Sequence, residues 1–359
     1  MEPRYRAADL VAFAYALLTK ADVAAEHARL TAEVLVEGDL MGHTTHGLQL
    51  LAQNLAELEA GRYAKVGNPA VISDRPAAVV WEAAPDGARL LGPFVVRRAF
   101  ALAAERALAQ GTGTVVVRRS GHIACLAAYL PAVVERGLIG LLYSSDPTVA
   151  SVAPHGGIAG RFTPNPMAAG WPTAAGPVLM DVSTSITTNG LISRRNKEGA
   201  RMPGPWLKSP EGEATDDPGV MFRDPPGALL PLGGMDAGHK GFALALLIEA
   251  LTSGLGGYGR ADNAAGWGAS LFVQVIDPAA FGGGEGFLRE TGWLAEACRG
   301  TPVRPGDPPV RMPGDGAMAR RAEQSAKGVA LHPGVLPSLT PWCEKLGVPP
   351  PKPGTCEAR

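Results

Sequence analysis

Paired cysteines are missing from this chain of 359 residues. Its four thiols, Cys125, Cys298, Cys343 and Cys356, form no CxxC pair. That leaves no disulfide framework and no zinc knuckle, and a reducing cytoplasm fits. An excess of charge is missing too. Lys and Arg number 33 against 34 Asp and Glu, a net charge of −1. Nothing here is the electrostatic footprint of a nucleic-acid or membrane-surface binder. A membrane-length apolar run is also absent. The longest uncharged stretch, Phe162 to Met180, carries Pro164, Pro166, Pro172 and Pro177 and cannot form a spanning helix. The opening Met1-Glu2-Pro3-Arg4-Tyr5-Arg6 lacks the apolar core of a signal peptide. A cytoplasmic protein acting on a small molecule is the expectation.

What is abundant is glycine, 46 residues, and proline, 32. They predict many ordered loops, where sites usually lie. Hydrophobic residues make up 46 %, enough for a sizeable core. The length suits two domains. Asp9 is positioned to cap a helix with Leu10, Phe13, Leu17 and Leu18 on one face. A second helix is expected from Asp22 to about Met41. A third, marked by Leu48, Leu51, Leu55 and Leu58, should end at Gly61. From Ala77 the pattern changes. Ala78–Glu82 and Thr114–Arg118 read as strands flanking a helix over 92–110. A helical stretch should then reach Gly137, broken or kinked by Pro131. Leu138–Tyr143, Val178–Val182 and Leu271–Ile276 read as further strands, and 241–254, 286–299 and 316–327 as helices. Residues 199–227 look like a surface excursion. The division expected is a helical domain over 1–75, completed by helices from about 285–345, an α/β domain over 76–284, and a mobile tail over 349–359.

Several polar positions carry candidate chemistry. Gly254, Gly256 and Gly259 satisfy GxGxxG, but they follow a helix, and the dinucleotide loop must follow a strand. A helix-ending turn is the better reading. His43 and His46 could be metal ligands, yet three or four ligands are needed and no HExxH or CxxC accompanies them. Alternatively Thr44 or Thr45 caps the third helix. His46 would then sit in its first turn, kept neutral by the positive helix end and free to take a proton, or be a surface residue without chemistry. His122 follows a buried strand at its carboxyl end, a common ligand position, with Gly121 allowing a ligand close approach. Lys240 should begin the 241–254 helix and create an anion site with its free N–H groups, unless it is only an exposed lysine.

These segments recur in a recognisable order. Gly42-His43-Thr44-Thr45-His46-Gly47 is followed by Ser120-Gly121-His122, Ser145-Asp146-Pro147, Ala153-Pro154-His155-Gly156-Gly157 and Asn165-Pro166. Then come Met180-Asp181-Val182-Ser183-Thr184-Ser185, Leu230-Pro231-Leu232-Gly233-Gly234, Gly238-His239-Lys240-Gly241 and Met312-Pro313-Gly314-Asp315. Over residues 5–335 the chain resembles the type 2 malate/L-lactate dehydrogenase-like family. Ureidoglycolate, L-sulfolactate and diketogulonate dehydrogenases and cyclic-imine reductases belong to it.

The resemblance implies an α/β protein, with a non-Rossmann mixed-sheet domain that binds NAD or NADP and a mainly helical domain. It also implies a homodimer. His122 matches the histidine that accepts or donates the proton, and His46 a second histidine given that role in some members. Ser145, Asp181, Ser183, Thr184, Ser185, His239, Lys240, Gly314 and Asp315 match cofactor contacts. Thr45 and Asn165 match substrate contacts, and no metal is implied. Two positions depart. Leu50 stands where the family commonly has an arginine, and losing such a pair costs a carboxylate about 1.5–3 kcal/mol. Pro164 stands in place of a residue in the family's Gly-Thr-Asn-Pro, here Thr163-Pro164-Asn165-Pro166.

The function expected is hydride transfer between a nicotinamide and a small 2-hydroxy or 2-oxo acid. His122 is the first choice for the proton and His46 the second. The alternatives are an NADPH-dependent cyclic ketimine reductase, a metal-dependent hydrolase or lyase using His43 and His46, and a cofactor binder without catalysis.

Overall fold

The computed structural model describes residues 3–354. A short strand, Arg4–Tyr5, paired with Val329–Ala330, precedes α1 (Ala7–Lys20) and α2 (Ala25–Leu40). Leu10, Phe13, Ala14, Leu17 and Leu18 give α1 one buried face, the spacing of an amphipathic helix. Asp9 does not cap it. It lies in the first turn, where a carboxylate favours the positive helix end. Asp22 does not start α2 either. It turns the chain between the helices at φ 65°, and α2 begins after an extended Ala24. A 3-10 turn, Leu48–Leu50, leads into α3 (Leu51–Glu59).

The centre is a seven-stranded sheet. Its strands are β1 (Ala70–Arg75), β2 (Ala78–Glu82), β3 (Thr112–Ser120), β4 (Ile139–Ser145), β5 (Met167–Trp171), β6 (Val178–Val182) and β7 (Ala269–Ile276). The spatial order is β1-β2-β3-β7-β4-β5-β6. Only β2 and β3 pair in parallel, and α4 (Gly92–Gln110) crosses between them. Pro93 near the start of α4 and Gly111 at φ 83° just past its end place both boundaries. Every other neighbouring pair is antiparallel. The Val115-Val116-Val117 run is buried in the middle, as β-branched residues between packed layers should be.

Pro131 does divide the expected helical stretch. It is the first residue of α5 (Pro131–Val134), where its missing N–H has no helical partner to lose. The long helix expected before Gly137 is reduced to this turn and a 3-10 turn, Ala127–Tyr129. α6 (Asn189–Lys197) follows β6. The segment 199–227 is more than a surface excursion. Strand Leu207–Lys208 pairs with Ala214–Thr215 and with Ala228–Leu229. Met202, Leu207, Val220 and Leu229 form a second small core with Val152, Phe162, Ile192 and Ala245. Three apolar side chains of the segment, scattered among prolines, suffice because stretches before and after it complete the cluster.

α7 (Gly234–Glu249) runs on through a π-type turn, Ala250–Gly254. Gly254 ends that turn, Gly256 sits in a last helical turn and Gly259 lies beyond it, so the three glycines close a helix and follow no strand. α8 (Gly284–Arg299), α9 (Asp315–Lys327) and α10 (Val335–Leu346) complete the chain. α9 packs on α2, and α10 on α1 and α3. Beyond α10, the Gly354 N–H donates to the Arg4 carbonyl at 2.9 Å. Residues 355–359 of the expected tail lie outside the described residues. Among the described residues, no helix is long and apolar enough to cross a membrane.

Candidate active site

Two loops bring the predicted histidines together. The first leaves α2 and carries Gly42 to Gly47. Asp39, 1 % exposed, anchors it, its Oδ2 accepting the Leu48 N–H at 2.7 Å. This carboxyl does the capping expected of Thr44 or Thr45. His46 accordingly lies ahead of the 3-10 turn, not inside a helix. Its pKa is lowered, first by burial and further by the charges of His43 and Arg194, while Asp181 pulls it up. Burial, more than the helix dipole, keeps it neutral. Its Nδ1 lies 2.8 Å from Thr45 Oγ1.

The second loop leaves β3. Gly121 does allow a close approach, but to protein. A Cβ there would meet the Leu90 carbonyl oxygen at 2.8 Å and the Tyr63 ring at 3.0 Å. The His122 N–H donates to Tyr63 Oη at 2.9 Å, and that hydroxyl donates to the Trp267 carbonyl at 3.1 Å. The His122 ring stacks on Trp267 with centroids 4.7 Å apart. Burial pushes its pKa down to about 3, with the His46 charge adding to the effect. Its Nδ1 accepts the Ala124 N–H at 3.2 Å. A neutral ring so held carries its proton on Nε2.

Both histidines line one cavity of about 530 Å³, within the range of small-molecule sites. Thr45, Ser145, Asp181 and Ser183 line it as well. Asp181 Oδ2 accepts the Ala127 N–H at 2.8 Å, which holds the carboxylate on the wall. Ser145 Oγ is bonded to Thr252 Oγ1 at 2.8 Å.

The remaining predicted residues lie elsewhere. Thr184 and Ser185 are buried and spend their hydroxyls on the carbonyls of Pro164 and Thr187. Asn165 is fully buried and donates to the Ala245 carbonyl and Glu249, while its neighbours Pro164 and Pro166 face the cavity. His239 and Lys240 are exposed. Lys240 does not begin α7, which starts at Gly234 and is kinked at Ala237. Gly314, at φ 95°, is the N-cap residue just before α9. Asp315 accepts the Met312 N–H at 2.9 Å and pairs with Arg299. His43 groups with Cys125 and Asp181, ligand-type atoms within 4.8 Å of one another; His46 is not in that group. Burial pushes the Cys125 thiol well up, and nearby Asp181 adds to it, so it stays protonated.

Sequence patterning missed Trp267, Asp39 and Arg194. Trp267 lines the cavity from a loop with no motif. Asp39 looks like an ordinary polar position within a helix. Arg194 projects from α6, a helix absent from the sequence reading, and its Nη1 donates to Thr44 Oγ1 at 3.3 Å.

A recessed pair of titratable rings over a cavity of mixed polar and apolar lining, in a mixed α/β fold, is the layout of an acid–base enzyme. Residues 5–340 match the malate/L-lactate dehydrogenase family, and the chain belongs to it. It is 30 % identical to L-lactate dehydrogenase from Cupriavidus necator, over 92 % of this chain and 95 % of that one. It is 29 % identical to a Δ1-pyrroline-2-carboxylate reductase from Pseudomonas fluorescens, over 92 % and 96 %. The solved structure of malate dehydrogenase from Pyrococcus horikoshii superposes with a TM-score of 0.85 at 26 % identity, covering 96 % of each chain. The chain is an oxidoreductase.

Proposed function

We propose that this protein interconverts a small 2-hydroxy acid and its 2-oxo acid, using NAD or NADP. The observation that carries this reading is the neutral histidine pair in one cavity of a malate/L-lactate dehydrogenase family member. The cavity wall of Ser145, Asp181 and Ser183 fits the amide and hydroxyl groups at a nicotinamide end. When bound, the nicotinamide supplies or receives the hydride. We read the cofactor site as non-Rossmann, because the sheet has a single parallel pair and the GxGxxG glycines close a helix and do not follow a strand.

The tautomers divide the labour. His122 holds Nε2–H outward, with Nδ1 occupied by Ala124 N–H. It suits donation of a hydrogen bond to the substrate oxygen, not uptake of a proton. His46 has the Asp181 charge to support an imidazolium. It is the better proton carrier, taking the hydroxyl proton in oxidation and returning one in reduction. This reverses the order expected from sequence. Ser183 and Thr45 flank the same space and suit substrate or cofactor hydroxyls.

The cyclic-imine reading keeps the same machinery. An imine nitrogen needs a proton where the carbonyl oxygen does, and a pyrroline-carboxylate reductase stands among the relatives. A panel of 2-oxo acids and cyclic imino acids with NADH and NADPH, followed at the reduced-nicotinamide absorbance, tests both. Turnover of none of them overturns the reading.

A homodimer is part of the proposal. Leu244, Leu246, Leu247 and Leu255 are exposed along α7 and its π extension, at 37–55 %. A helix with apolar residues facing both core and solvent is suited to a covered face.

A further inference from the structure

We propose that His43, Cys125 and Asp181 form a binding site for a soft divalent cation of the zinc class, and that an ion held there competes with the nicotinamide for the cavity. The site goes beyond the function proposed above, and only the competition rests on that reading.

The three side chains come from three segments. His43 lies on the turn after α2, where its N–H donates to the Gly38 carbonyl at 2.8 Å. Cys125 lies on the loop after β3, and Asp181 on β6. All three line the cavity. One ligand-type atom from each lies within 4.8 Å of the others, and among the described residues no other group of three such side chains does so. Cys125 Sγ is 3.9 Å from Asp181 Oδ2. Around a tetrahedral zinc, with bonds of about 2.3 Å to sulfur and about 2.1 Å to oxygen, those two atoms would stand about 3.6 Å apart. Two of the three ligands are thus already near their bound separation. His43, half-buried on a loop, has the remaining distance to close. The Ala127 N–H donates to Asp181 Oδ2 at 2.8 Å and holds the carboxylate in place, as the outer partners of metal ligands do. An ionised carboxylate keeps further lone pairs on both oxygens for an ion.

The donor set selects the ion. A thiolate, an imidazole and a carboxylate suit zinc, whereas magnesium and calcium take oxygen ligands. Three protein ligands leave a fourth position for water, the open form of a zinc site. Binding exchanges a proton for the ion. The Cys125 S–H bond breaks, its electron pair goes to the metal, and the proton leaves to water. No oxidant or reductant takes part. The ion would claim Asp181, which the proposed reaction gives to the nicotinamide end, and it would sit in the same cavity as Ser145 and Ser183. His46 is not one of the ligands. The site is therefore a brake on hydride transfer and not a second catalytic centre.

The test titrates the protein with zinc chloride, and in a second series with cobalt(II), and compares it with Cys125→Ser and His43→Asn. By calorimetry the parent should bind one zinc ion per chain, and cobalt should give the near-ultraviolet absorption of a thiolate–metal bond. Either substitution should weaken zinc by more than about 100-fold, since outer partners alone are worth about 10–100-fold. Cys125→Ser should also abolish the cobalt absorption. His43→Asn changes a half-buried loop residue and keeps the site testable if Cys125→Ser fails to fold. Magnesium should neither bind nor displace zinc. No bound zinc, or equal zinc affinity in the parent and both variants, overturns the site. In turnover assays, each protein is measured against its own metal-free rate. Zinc should raise the nicotinamide KM of the parent, a chelator should restore it, and Cys125→Ser should not respond. Zinc held through Cys125 with the nicotinamide KM unchanged overturns the competition. Zinc held through Cys125 by a protein that turns over none of the oxo or imino acids sinks the proposed reaction and leaves the site standing.

Discussion

The rings of His46 and His122 lie 6.0 Å apart, centroid to centroid, with planes 24° apart. One ring comes from the turn after the second helix and the other from the end of a central strand. At that separation a charge on one opposes a charge on the other, and the His46 charge does depress His122. The pair titrates as a unit, with at most one imidazolium, and the question is which ring takes it. His122 is held neutral by burial and by the Ala124 N–H at its Nδ1. His46 has Asp181 in support.

The pH dependence follows from these directions. Both pKa values lie below the ordinary histidine value, so the neutral pair dominates at neutral pH. Oxidation needs the neutral form and should hold its kcat/KM as pH falls from about 8 to about 6. Reduction needs the imidazolium and should rise steadily over the same range, with no plateau near the usual histidine pKa of about 6.5. His46→Ala should remove that rise and cost about 10²–10⁴-fold in kcat. His122→Ala should cost activity and leave the slope. A slope abolished by His122→Ala and kept by His46→Ala reverses the roles.

Glycines hold both rings in place, and filling them should move the rings. A Cβ on Gly92, the first residue of α4, would meet the His122 carbonyl oxygen, and the Gly121 oxygen at 2.5 Å. A Cβ on Gly47 would run into the Asp39 carboxyl. The obstacles are backbone or a fully buried side chain, so neither yields cheaply. Gly92→Ala and Gly47→Ala should each destabilise by about 1–3 kcal/mol, the usual cost of overpacking. Each should lower kcat beyond what the lost stability explains. Urea melts and kinetics on the folded fraction separate the two effects; unchanged kcat in both variants would mean the loops tolerate the shift.

How far the sequence was legible depends on how local each signal is. Helix α4 was readable to the residue because Pro93 and Gly111 punctuate it. His122 was readable because Thr112–Ser120 is an unbroken strand with a polar loop behind it. Asp39 was not, since its role is a bond to Leu48 across the turn, and nothing in a helical pattern marks it. The small core around Leu207 and Val220 was hidden because half of it is supplied by Val152, Phe162 and Ala245. Arg194 was hidden for the same reason, its meaning lying in a contact with Thr44.

The exposed apolar face of α7 makes a prediction about assembly. Leu247 is 51 % exposed and Leu246 50 %. If a second copy covers them, Leu247→Asp should bring a buried charge into that interface and shift the protein to monomer in light-scattering chromatography. Circular dichroism of the variant should remain native, since the side chain faces away from its own core. A parent that is already monomeric at micromolar concentration rules the interface out.

One buried carboxyl, Asp39, anchors the His46 loop. Burial raises the Asp39 pKa from 3.8 to about 7, and its Oδ1 has no hydrogen-bond partner. The folded state therefore holds a proton that the unfolded chain releases near pH 4. Below about pH 4 both states are protonated, and Asp39 behaves as a neutral acid. Between about pH 4 and 7 the unfolded chain ionises first, and stability drains away as pH rises. Above about pH 7 both are ionised, and the full cost of a buried carboxylate stands. Asn in this position copies the protonated acid: its oxygen still accepts from Leu48, and nothing ionises. Asp39→Asn should therefore melt close to the parent near pH 4 and increasingly above it up to about pH 7, the gap then staying constant. Asp39→Ala, which strips the Leu48 N–H of its acceptor, should melt below Asp39→Asn at every pH. Thermal melts of the three proteins across this range decide the matter. An offset between parent and Asp39→Asn that does not change with pH would mean that Asp39 is ionised throughout and that its charge is held by something other than the Leu48 N–H.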